Sequence, residues 1–188
     1  MPEIISFLKK YKVKTLIIAL IILVTGGTTY VSNTPKHKAV KKDIPTIEAN
    51  KPYEVTKVAD GDTFTIKVGE QSVTVRMIGI DTPETVDPRK VVQCFGKEAS
   101  DKTKELILHK FVTLETDPTQ GITDKFGRVL AYVYLPNSVS INEHLVENGY
   151  AHEYTYNLPY AKQAEFKEAE KEAREQKLGL WGSLCLQK

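Results

Sequence analysis

Cysteine is nearly absent from this chain: Cys94 and Cys185 are the only two in 188 residues. With no CxxC pair and no Cys/His cluster, a thiolate zinc centre or a dithiol redox motif is excluded. Arginine is almost as scarce, because Arg76, Arg89, Arg128 and Arg174 are the only four and lysine supplies the routine surface charge. No internal repeat is present, so a repeat architecture is excluded as well. Positive charge is also missing where a nucleic-acid-coating protein would need it. Eight of the 26 basic residues precede residue 45, where only Glu3 and Asp43 of the 24 acidic residues lie, which leaves 18 basic against 22 acidic groups from 45 to 188. The folded part thus lacks the net positive charge of a protein that coats nucleic acid by bulk electrostatics, and any anion must be met by local placement of side chains.

What is present begins at the front. Lys9, Lys10, Lys12 and Lys14 precede the apolar run from Leu16 to Val24, which continues through Thr25 to Val31. A basic stretch followed by an apolar core is an export segment, and residues 1–31 read either as a signal peptide or as a transmembrane anchor. No convincing small-x-small cleavage site follows the run, and no cysteine stands just after it for lipid attachment. The lysines keep the first side cytoplasmic, so the rest of the chain is expected outside the membrane. On that oxidising side the two cysteines either bridge or remain thiols, and the compartment favours a Cys94–Cys185 disulfide. Residues 32–52, with Pro35, Pro45, Pro52 and several lysines, have too little apolar surface to fold and read as a flexible linker.

The folded part is expected over residues 53–188. Tyr53 to Val58, Thr63 to Val68 and Ser72 to Ile80 are rich in β-branched residues and separated by Asp60-Gly61 and Gly69-Glu70, which predicts a three-stranded meander. Lys97 to His109 follows a helical period with Ala99, Thr103, Leu106 and Ile107 on one face. Phe111 to Glu115 and Arg128 to Leu135 read as strands around a polar loop. A helix is expected from Ser140, with Glu143 completing a capping box, to Gly149, and another from about Tyr160 to Lys177. Five short strands with about three helices inserted between and after them predict an α+β domain built on a small closed barrel of OB type.

Chemistry concentrates in two places. Val58 to Ile66 reads VADGDTFTI, and the third strand runs from Arg76 into Asp81-Thr82-Pro83-Glu84. The first could be a mere hairpin turn, since Asp-Gly suits backbone of positive φ. Together, however, Asp60, Asp62, Asp81 and Glu84 with a backbone carbonyl form an oxygen-rich set of the kind a hard cation such as calcium accepts. Arg76 and Arg128 sit beside these acids and beside the loop Asp124-Lys125-Phe126-Gly127, and a planar fork that grips two phosphate oxygens is arginine's special use.

DGDT, R-x-x-x-x-DTPE, DKFGR, the phrase N-E-x-L-V-x-x-G-Y-A from Asn142 to Ala151 and the closing L-G-L-W-G resemble, in this order, the staphylococcal nuclease family. The resemblance covers about Tyr53 to Trp181. It implies hydrolysis of DNA and RNA to 3′-phosphate products with Ca2+, by a protein secreted or anchored in the membrane with its nuclease domain outside. No protein partner is implied and a monomer is expected. It also implies residue roles: Asp62, Asp81 and the Thr82 carbonyl as metal ligands, Asp60 in the outer shell, Glu84 as general base and Arg76 and Arg128 as phosphate clamps. Lys125, Tyr154 and Tyr156 would contact substrate, although two alternate tyrosines can also be simple packing. Phe126 departs from the pattern, standing where a tyrosine often precedes Gly-Arg. The alternative function is a nuclease-like module that binds nucleic acid or peptide without catalysis, but such a copy should have lost part of the Asp, Glu and Arg set.

Overall fold

The computed structural model describes residues 45–85 and 93–186. The expected export segment at 1–31, the first part of the expected linker and residues 86–92 before Cys94 lie outside the described residues. Among the described residues, no helix is long and apolar enough to cross a membrane.

Three strands, β1 (Tyr53–Val58), β2 (Thr63–Val68) and β3 (Gln71–Met77), form an antiparallel meander. Alternation drives it: Val73, Val75 and Met77 of β3 point inward while Arg76 takes the opposite face. After the short β4 (Ile80–Asp81), the helix α1 (Gly96–Ile107) leads into β5 (Phe111–Glu115) and β6 (Val129–Tyr134). The barrel closes in the order β1-β2-β3-β6-β5, with β3 and β6 parallel and Arg76 opposite Leu130. Then follow α2 (Ile141–Glu147), β7 (His152–Glu153), α3 (Gln163–Glu175), a 3-10 turn at Gly179–Trp181 and α4 (Ser183–Leu186). Outside the barrel, β4 and β7 pair with each other.

Phe64, Ile66, Val75, Val112, Val129 and Val133 fill the barrel, and Ile107, Leu145 and Phe166 cover it from the helices. Each contributes about 1.5–3 kcal/mol by leaving water. Ser140 caps α2 by accepting from the Glu143 amide, as the sequence predicts. Buried Asn142 then ties α2 to the barrel, accepting from Val133 N at 2.9 Å and donating to Ile78 O at 2.8 Å.

Two boundaries differ from expectation by three residues, and one contact lies at both. The third strand breaks at Gly79, whose φ of 76° suits glycine and whose missing Cβ leaves room for Tyr160 Cε2, 2.5 Å from where that atom would stand. Tyr160 is thereby committed to the core, with its hydroxyl 3.0 Å from Glu153 Oε1, and the last helix starts three residues later than its periodicity suggests. At the C-terminal end the Leu180 amide donates to Gly149 O at 2.9 Å. Trp181 lies between the Arg174 guanidinium, 3.9 Å over its ring, and the edge of His152. Cys94 and Cys185 form a disulfide with their Cα atoms 5.7 Å apart.

Candidate active site

The loop between β1 and β2 is a compact turn in which the amides of Ala59 and Asp60 both donate to Thr63 O, at 2.9 and 3.3 Å. Its glycine is not there for a left-handed backbone. Gly61 is absent from the positive-φ glycines, and a Cβ on it would stand 2.6 Å from Thr82 Cγ2 and 2.8 Å from Thr82 Oγ1. The segment does connect the antiparallel β1 and β2 as a hairpin turn, but close approach of two chain segments, and not positive φ, is what requires its glycine. The Gly61 carbonyl also accepts from buried Thr103 Oγ1 of α1 at 2.7 Å, which fixes the turn from the other side.

Asp62 is the hub. It is 5 % exposed, and its Oδ2 accepts from Thr82 N at 2.9 Å and Thr82 Oγ1 at 3.1 Å while its Oδ1 accepts from Thr63 Oγ1 at 2.9 Å. Arg76 Nη1 stands 2.6 Å from Asp62 Oδ2, close enough for an ion pair but off the hydrogen-bond line, and Nη2 donates to Asp81 Oδ1 at 2.8 Å. One guanidinium thus joins two carboxylates from different segments. Asp60 is adjacent, with Oδ1 3.3 Å from the Asp62 amide, and its pKa is pushed up to about 7 by removal from water and then by the charge of Asp62.

Arg128 is held by a residue that sequence reading passed over. Asp124 Oδ1 accepts from the amides of Phe126 and Arg128, both at 2.9 Å, and Oδ2 accepts from Arg128 Nε at 2.6 Å. These bonds outweigh the cost of burial and keep the Asp124 pKa below the ordinary value. Arg128 Nη1 reaches Thr63 Oγ1 at 3.5 Å, and Thr63 is the β2 residue opposite Arg76 in the β2–β3 ladder. An aspartate four residues ahead of an arginine across a glycine turn was the available signal.

A cleft of about 610 Å³ opens beside this rim, lined among others by Arg76, Asp81, Lys125, Arg128, Tyr154 and Tyr156. The tyrosine rings are 6.4 Å apart, and Phe126 is 73 % exposed at the same cleft with Lys125 Nζ 5.1 Å from its ring centre. The structure therefore gathers Asp60, Asp62, Arg76, Asp81, Thr82 and Arg128 at one rim and places Lys125, Tyr154 and Tyr156 along the cleft. Glu84 is placed differently. It follows Thr82 by two residues but does not line the cleft, and its Oε1 accepts from the Thr85 amide at 3.0 Å.

Among the described residues, no three His, Cys, Asp or Glu side chains form a ready metal cluster. The donor set nonetheless fits a hard cation. Asp62 and Asp81 meet on one guanidinium, the Thr82 backbone is bonded to Asp62, and Asp60, raised first by burial and then by the charge of Asp62, stands beside them as a further oxygen donor.

Strand order and rim together define an OB-type barrel with an arginine and carboxylate cluster beside an aromatic cleft. The profile of the family described as "Staphylococcal nuclease homologue" matches residues 74–183. A thermonuclease of Staphylococcus hyicus is 40 % identical over 131 residues, covering 70 % of this chain and 76 % of that one. A thermonuclease of Staphylococcus intermedius is 36 % identical over 174 residues, covering 93 % and 99 %. Endonuclease YncB of Bacillus subtilis is 38 % identical over 128 residues, covering 66 % and 59 %. The chain belongs to the staphylococcal nuclease family.

Proposed function

We propose that this protein is a calcium-dependent nuclease that hydrolyses phosphodiester bonds of DNA and RNA, leaves 3′-phosphate ends and works outside the cytoplasm. The observation that carries the reading is that Arg76 of β3 and Arg128, at the end of the loop before β6, line one cleft with Asp81, while Arg76 also pairs with buried Asp62 behind it. Arg76 and Arg128 grip the non-bridging oxygens of the scissile phosphate, each through a planar fork, and oppose the charge that develops on them. Lys125 adds a positive contact along the backbone, and Tyr154 and Tyr156 offer ring faces to the nucleotide. Glu84 accepts the proton of the attacking water, a role its carboxylate performs when ionised near neutral pH. Calcium held by Asp62, Asp81 and the Thr82 carbonyl, with Asp60 behind its water, would supply Lewis-acid stabilisation of the phosphate.

Location follows from the order of lysines and apolar residues at the front, which supports export with the folded part outside. The test is degradation of DNA and of RNA by the purified chain with calcium and then with excess chelator, beside Glu84→Gln. Activity should require calcium, and the variant should lose about two to four orders of magnitude in turnover, as for a removed acid or base. Undiminished activity in chelator removes the metal assignment, and normal turnover in Glu84→Gln removes the base assignment.

A further inference from the structure

Gln93 bonds the main chain of Glu84 twice. The Glu84 amide donates to Gln93 Oε1 at 2.9 Å and the Glu84 carbonyl accepts from the Gln93 amide at 3.1 Å. Gln93 opens the turn into α1, where the Gly96 amide donates back to Gln93 O at 3.1 Å. Gly96 is buried against the same segment, since a Cβ there would stand 2.6 Å from Thr85 Cγ2 and 3.0 Å from Pro83 O. Residues 83–85 therefore rest directly on the turn of residues 93–96.

That turn is itself fastened from beyond. Cys94 is bonded to Cys185, and Phe95, in left-handed backbone at φ 66°, sets its ring 5.5 Å from that of Tyr150. The segment bearing Cys185 reaches the end of α2 through the Leu180 amide on Gly149 O. Gln93 is exposed, and its neighbours on both sides supply the rigidity that an exposed side chain lacks.

We propose that Gln93 is a positioning residue for Glu84 and that the Cys94–Cys185 disulfide fixes Gln93 for that task, so that the bridge governs turnover in addition to stability. The inference rests on Glu84 as proton acceptor. A base must stand within hydrogen-bond reach of its water, and a displacement of about 1 Å is enough to lower a rate by about a hundredfold.

The experiment uses the full-length chain and measures kcat and KM on DNA, together with hydrogen exchange at the Glu84 amide. It compares Gln93→Ala, Gln93→Glu, the double variant Cys94→Ser/Cys185→Ser, and Glu84→Gln as reference, well below each melting temperature. Gln93→Ala should lower kcat by about tenfold or more, leave KM within about twofold and speed exchange at the Glu84 amide. Gln93→Glu keeps an acceptor oxygen at the same reach and should restore the protection and most of kcat. The serine pair should lower kcat in the same way, and adding Gln93→Ala to it should cost little more, because both act along one path. A Gln93→Ala protein with kcat within about twofold of the parent and an unchanged Glu84 amide, or losses that multiply in full, overturns the positioning role. Normal turnover in Glu84→Gln instead removes the reading beneath it, and the two failures are thereby told apart.

Discussion

Replacing Asp117 by Asn should destabilise this protein by about 2–4 kcal/mol at neutral pH, and the loss should fade in acid. Asp117 is 3 % exposed at the root of the loop that carries Lys125 and Arg128, and four donors converge on it. Tyr132 Oη at 2.5 Å and Ala161 N at 2.7 Å meet one oxygen, while Thr119 N at 2.8 Å and Thr119 Oγ1 at 2.7 Å meet the other. An asparagine side chain has the same shape but only one accepting oxygen, so in either orientation its NH2 group faces a hydroxyl and a backbone amide. The hydroxyl can rotate and accept; the backbone amide cannot. Stranding that amide costs about 1–3 kcal/mol, and weakening the remaining bonds from charged to neutral adds about 1 kcal/mol. For a folded part of this size the sum lowers Tm by about 6–16 °C. Burial pushes the Asp117 carboxyl up, but the Tyr132, Ala161 and Thr119 donors together hold it below its ordinary value of 3.8. A depressed carboxylate stabilises above its unfolded pKa and loses that contribution as pH falls through its folded one. The gap between parent and variant in urea unfolding should thus be full above about pH 5 and narrow below about pH 4. A gap under about 1 kcal/mol at pH 7, or one that stays constant from pH 7 to 3, would refute the reasoning.

Arg76→Lys keeps the charge but cannot hold Asp62 and Asp81 at once while presenting a fork to phosphate, so turnover should drop at least about tenfold in a folded protein. Steady-state rates beside circular dichroism check this, and an unchanged rate contradicts the bridging role. Gly61→Ala should cost about 1–3 kcal/mol by driving a methyl group into Thr82. Thr82→Ser, which removes the nearest atom, should recover part of the loss, and additive effects of the two changes in urea unfolding would show that they do not meet.

The barrel was legible because its strands carry a period of two in β-branched residues, and four of its five strand ranges agree with expectation to within one residue. β4 and β7 were not, because two residues each cannot display a period. Beside their pairing lies the contact of Gly79 with Tyr160, which are distant in sequence and meet only in the fold. At the site, the types and order of residues announced Asp62, Asp81 and Arg76, but not that Arg76 would bind both acids. Asp124 was hidden because an aspartate that caps a turn looks like any polar loop residue, and Gln93 because its partner is a backbone amide, which has no signature in sequence. The cysteines could be paired only by reasoning from compartment; nothing in a separation of 91 residues reveals Cα atoms 5.7 Å apart.

Trp181 is the only tryptophan in the chain, and it sits in the C-terminal clasp and not in the barrel. Its indole is covered by a cation from α3 and edged by a histidine of β7, and its buried Nε1 has no hydrogen-bond acceptor among the described residues. Emission from this one ring therefore reads a local event. When the segment bearing Cys185 lets go, the indole meets water and its spectrum shifts, while the far-ultraviolet signal of the strands persists. The molecule carries its own optical gauge, able to separate unfastening of one corner from loss of the whole fold without any added label.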